Sequence, residues 1–189
     1  LYGPALADRD SFSLLPRKTD DRRACGMVCK SLFLDGTLDC NAEYLNIFRK
    51  TEDALDAQTE LYQISDFSRF LLRTVDADAL AARRRRNYAR LKDALVQLGV
   101  SPICRLAEDA CPLVLPIRVK DRDALRRRLM EHRIYCAVHW PFDGVQADER
   151  PLARELAAHM LSLPIDQRYD TAHIDYLMDT IDTCKGLLL

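Results

Sequence analysis

The stretch that most limits how this chain can fold is residues 76–99, where Leu80, Tyr88, Leu91, Leu95 and Leu98 recur at helical intervals and Gly99 follows. At 3.6 residues per turn those side chains form one stripe, and a glycine just beyond it suits the left-handed residue that closes many helices. One long helix with a single buried face is predicted. The period then changes. In "CPLVLPIRV" (111–119) Leu113, Leu115, Ile117 and Val119 alternate with other residues and share a face, as in a half-buried strand.

The remainder of this half continues the alternation. Asp121 caps a helix ending near His132, and "IYCAVH" (134–139) reads as a second strand. Residues 150–160 read as a helix with Leu152, Leu156 and Ala157 inward, and "LSLPI" (161–165) as a short third strand. Thr171 caps a closing helix whose stripe is Ile174, Leu177, Met178 and Ile181. Helices alternating with strands in this order predict a small α/β layer sandwich over 76–189. Residues 1–75 read as mostly helical. One helix starts at Asp20 or Asp21, carries Ala24, Met27, Val28 and Leu32, and closes at "LDGT" (34–37). A second spans 42–56 with Tyr44, Leu45, Phe48 and Leu55 on its apolar side. After a polar loop, "DAQTE" (56–60), Ser65 or Asp66 opens a third.

Charge excludes some classes of partner. The 28 basic residues nearly balance 29 acidic ones, a net charge of -1, so no global field draws the chain to nucleic acid or to an anionic membrane. The arginine run 83–86 diverges around a helix beside Asp76, Asp78 and Asp93, and reads as a solvated face. The seven cysteines include no CxxC pair, which fits a reducing cytoplasm, with Cys111 and Cys136 expected as small core residues. No apolar run is long enough to span a membrane, and no signal peptide opens the chain. A start on Leu1 rather than Met fits a fragment.

His132, Cys136 and His139 have spacings that a zinc site could use, but strand alternation sends Cys136 and His139 to opposite faces, so no metal site is expected. No cysteine stands in a pattern that would activate it as a nucleophile. His139, Trp140 and Pro141 are more distinctive. Pro141 holds Trp140 extended and places two amphipathic rings where a strand ends, as the wall of a cleft or as a packed corner.

Three segments in order, "YQISDFSRFLLRTVDADALAARRRRNYARL" (62–91), "ACPLVLPIRVKDRDALRRRLMEHRIYCAVHWP" (110–141) and "LSLPIDQRYDTAHIDYLMDTI" (161–181), resemble the C-terminal part of the DegT/StrS family of sugar aminotransferases. The resemblance implies the aspartate-aminotransferase fold, with 1–75 as the end of the large cofactor domain and 76–189 as the small C-terminal domain. It also implies pyridoxal phosphate, amino transfer to a keto-sugar nucleotide, usually from glutamate, and a homodimer. The family's cofactor lysine lies well upstream of the segment matched at Tyr62, so no Schiff-base lysine and no other catalytic residue is expected here, and no cofactor on this chain alone. Leu61 stands where many members carry a phosphate-contacting asparagine. His139, Trp140 and Ser65 are the candidate substrate-binding residues. The alternative reading is a non-catalytic interaction or regulatory module built on the small-domain fold.

Overall fold

Asp76 sets the start of the long helix, α4 (Ala77–Gln97): its backbone is extended and its carboxylate accepts the Ala79 N–H at 2.9 Å. At the other end Gly99 takes φ 81°, and the Val100 N–H turns back to the Leu95 carbonyl at 2.9 Å. The computed structural model describes residues 13–14, 17–139 and 150–189. The chain divides into two units, Leu1–Val75 and Asp76–Leu189.

In the second unit, strand β3 (Val114–Arg118) pairs antiparallel with β4 (Met160–Pro164). Leu115 stands opposite Leu163 and Ile117 opposite Leu161, and all four have 0% exposure, so they form one inner face. Tyr88, Leu91 and Leu95 of α4 belong to the same core as this face. Helices α5 (Arg122–Glu131) and α7 (Thr171–Asp182) add Leu125, Leu129, Ile174, Leu177 and Ile181. Burying each such side chain contributes about 1.5–3 kcal/mol. Helix α6 (Pro151–His159) precedes β4, and a 3₁₀ turn (Lys185–Leu187) ends the chain.

Several expectations shift here. Leu113 lies outside β3 and is 54% exposed, because the strand begins one residue later. Residues 134–139 form no regular strand; a single bridge joins Ala137 to Ser162. In α6, Leu152 and Leu156 are exposed, since no described element packs over them, whereas Ala157 is half-buried. Asp170, not Thr171, caps α7: it accepts the His173 N–H while the His173 ring faces the Asp170 N–H, a reciprocal capping box.

In the first unit, β1 (Ser13–Leu14) runs parallel to β2 (Tyr62–Gln63), Ser13 beside Tyr62 and Leu14 beside Gln63. Helix α1 (Arg17–Leu34) begins ahead of Asp20 and Asp21 and packs on α2 (Asn41–Asp56). The close approach is at Gly26, where a β-carbon would stand 2.9 Å from Ile47 Cγ2 and from Phe48 Cε1. The buried side of α1 therefore runs through Gly26, and Met27 and Val28 are left exposed. On α2 Tyr44 is buried between Phe33 and Phe48, while Leu45 and Leu55 face outward. Helix α3 (Asp66–Thr74) closes the unit. Among the described residues, no helix is long and apolar enough to cross a membrane.

Candidate functional site

The polar side chain best placed by the small sheet is His139. Ala137 bridges Ser162, so by pleat alternation Ala137, His139 and Ser162 share the face of the sheet opposite Leu161 and Leu163. Ser162 is 2% exposed, and its hydroxyl lies 2.9 Å from His139 Nδ1. A serine buried inside "MLSLPI" is the signal that points to this pair, and the sequence reading passed over it. Trp140 lies outside the described residues. Cys136 faces the other way, into the core, where burial pushes its thiol up to about 12. Among the described residues no group of histidine, cysteine or carboxylate side chains is arranged to hold a metal.

Ser65 belongs to the first unit. Its hydroxyl oxygen accepts the Ser68 N–H at 3.1 Å and so caps α3, and it lines a cavity of about 440 Å³ with Ala24 and Met27 of α1 and Leu71 and Leu72 of α3. The hydroxyl is thus committed on one side to the helix end.

The loop following β4 is held from α4. Asn87, 5% exposed, donates Nδ2 to the carbonyls of Ile165, Asp166 and Tyr169 at 3.1, 3.2 and 2.9 Å. Asp166 accepts the Arg168 N–H at 3.0 Å and its guanidinium at 2.8 Å through Nε and again through Nη2. Burial alone would raise the Asp166 carboxyl; the Arg168 side chain and backbone, with the charge of Arg84, outweigh it and hold the carboxyl below the usual range. The arginine run lies on an exposed face as expected, only Arg84 being half-buried, but several of its guanidinium groups are hydrogen-bonded. Arg84 Nε donates to the Gln167 side chain at 2.8 Å, Arg85 donates to the Ala110 and Asp109 carbonyls at 2.9 Å each, and Arg90 pairs with Asp175. Cys111, expected in the core, is instead exposed, 3.7 Å from Arg84 Nη1.

Pyridoxal phosphate needs a lysine beside an anion cradle. Lys50 and Lys120 are exposed, Lys92 pairs with Asp93 at 3.5 Å, Lys185 pairs with Asp182 at 2.8 Å, and Lys30 lies 5.8 Å from the Phe48 ring centre. None of these five lines the cavities of about 280, 390, 440 and 480 Å³ found among the described residues. By themselves, then, these residues do not fit the cofactor.

Comparison with known proteins bears on residues 70–182, which match the model of the DegT/DnrJ/EryC1/StrS aminotransferase family. Among solved structures, the chain is similar to one from Streptococcus pneumoniae described as a sugar aminotransferase in its PMP form: 18% identity, 58% of this chain, 31% of that chain, TM-score 0.53. It is also similar to S. venezuelae DesV in complex with a ketimine intermediate: 21% identity, 59% of this chain, 33% of that chain, TM-score 0.51. The chain thus spans about a third of the length of these structures, and at such identities the likeness is one of fold. No curated protein matches it.

Proposed function

Since the chain belongs to the DegT/DnrJ/EryC1/StrS aminotransferase family, we propose that it is the C-terminal part of a sugar-nucleotide aminotransferase that uses pyridoxal phosphate in the complete protein. In this reading Leu1–Val75 ends the cofactor domain, Asp76–Leu189 is the small domain, and the Schiff-base lysine is supplied by sequence outside these 189 residues. The complete protein works as a homodimer in the cytoplasm. The observation that most supports the reading is the mismatch between a family match that falls mainly on a well-cored second unit and a first unit that leaves much of its apolar surface uncovered.

This chain's contribution is a substrate wall. Buried Ser162 holds the His139 ring by a 2.9 Å contact at Nδ1, so the ring is kept in one orientation as part of that wall. Trp140, the next residue in the sequence, is the second candidate for that wall, and Ser65 is the weaker third. In the complete protein His139→Ala should raise KM for the keto-sugar nucleotide about tenfold, the worth of one good hydrogen bond. The direct test is the coding sequence immediately upstream of Leu1. An in-frame cofactor-binding half is expected, and a start codon close by overturns the reading. Reduction of the chain with borohydride in the presence of pyridoxal phosphate should label no lysine stoichiometrically. The second reading, a non-catalytic interaction module, draws on the placement of the five described lysines away from every cavity above.

A further inference from the structure

Two helices of the second unit end alike but with different residues. Beyond α4 the left-handed residue is Gly99, φ 81°; beyond α5 it is Arg133, φ 58°. In both, the next N–H reaches back to the last turn at 2.9 Å, Val100 to the Leu95 carbonyl and Ile134 to the Leu129 carbonyl. Glycine takes this conformation freely, whereas a residue with a β-carbon is strained in it. The fold uses glycine at one ending and tolerates an arginine at the other.

That arginine stands at a cavity of about 280 Å³, near the small end of ordinary ligand pockets (roughly 300–1,000 Å³). Ile134, Ile174 and Leu177, all buried, line its apolar part. Tyr135 and Tyr176, 69% and 49% exposed, supply aromatic surface. Among the described residues no carboxylate lines the cavity. His173 is engaged by Asp170 at 2.6 Å, and His132 lies 3.4 Å from the Tyr176 hydroxyl. Arg133 has no ion pair among the described residues, so it is the cavity's one permanent charge.

We infer that this cavity binds a small planar aromatic carboxylate, its one or two rings against Tyr135 and Tyr176 and its carboxylate on the Arg133 guanidinium. Aromatic walls select a flat ligand, and one guanidinium presents a fork that matches one carboxylate. The site is distinct from the His139–Ser162 pair: the antiparallel bridge at Ala137 sets Tyr135 beside Pro164, at the far end of β4. It rests on no assumption about transamination.

The test is calorimetric titration of the 189-residue chain with 2-naphthoate and with its neutral isostere 2-naphthamide, in the parent and in Arg133→Gly. Naphthoate should bind about tenfold tighter than naphthamide. Arg133→Gly should erase that preference while keeping or raising the thermal midpoint, because glycine relieves the backbone. Misfolding cannot produce that combination. Tyr176→Ala should weaken both ligands together. Equal binding of the two ligands to the parent, no binding at millimolar ligand, or an undiminished preference in Arg133→Gly overturns the proposal. So does a lower midpoint in that variant, which would assign the arginine to the fold.

Discussion

The two units spend their apolar residues in opposite ways. Among the described residues, Asp76–Leu189 buries nineteen hydrophobic side chains and Leu1–Val75 buries two, Cys40 and Tyr44. Of the twenty-one large apolar side chains left exposed among the described residues, twelve belong to the smaller first unit, among them Phe67, Phe70 and Leu72 of α3. The contrast shows that amphipathic helices alone do not make a core. The second unit has a strand pair whose inner face closes against helices; the first has a helix hairpin that meets at Gly26 and, among the described residues, leaves much of its other apolar surface exposed.

The sharpest way to break this contrast is to truncate matched leucines. Leu91→Ala, at 0% exposure, should cost about 2–5 kcal/mol, and Leu45→Ala, at 51% exposure, should stay within about 0.5 kcal/mol. Urea midpoints of the two variants check it, and equal losses would mean that the first unit has a core of its own. Asn87→Ala should come next, at about 1–3 kcal/mol, because three carbonyls around one loop lose their shared donor. Hydrogen exchange should locate the loosening at residues 165–169. In the first unit Gly26→Leu should cost a similar or smaller amount, about 1–3 kcal/mol from overpacking less about 1 kcal/mol of gained helix propensity. Proteolysis between α1 and α2 should then accelerate while the second unit stays resistant.

Where the sequence reading succeeded, the signal was local. The bounds of α4, the Asp121 cap, the Ser65 cap and the inward set Leu115, Ile117 and Val119 all follow from capping chemistry and from periods of 3.6 or two. It failed where a layer had to be assumed. Periodicity says that Leu152 and Leu156, or Met27 and Val28, lie near one another on a helix, but not that anything covers them. Gly26 defeated the reading of α1 for a related reason: the packed face is marked by a missing side chain. The His139–Ser162 contact joins residues 23 apart, and only the register of the Ala137 bridge brings them together. The arginine run was legible as charge but not as a set of staples, because its acceptors are mostly backbone carbonyls in distant loops.

The smallest expected effect sharpens the comparison by pH. Among the described residues, Asp35 is the one carboxyl of the first unit held below its usual range, by the Thr37 hydrogen bonds. The second unit has four: Asp123 beside Arg122, Asp166 with Arg168, Asp170 at the α7 cap and Asp175 beside Arg90. A carboxyl whose folded-state value lies below its unfolded value, about 3.9, binds fewer protons when folded. Its stabilisation is therefore complete above about pH 4 and is lost as pH falls through the folded-state value. Acid should accordingly weaken the second unit more than the first. Asp166 is the buried member of the four, yet its partner Arg168 has a side chain 56% exposed, so solvent screens the pair and the effect stays modest. Asp166→Asn should lower the urea midpoint slightly near pH 7 and flatten its decline below about pH 4. Asp35→Asn should leave the second unit's acid limb unchanged. If both variants kept the parent's acid limb, the loop-holding pair at Asp166 would not contribute to folding, and the contrast between the units would rest on apolar burial alone.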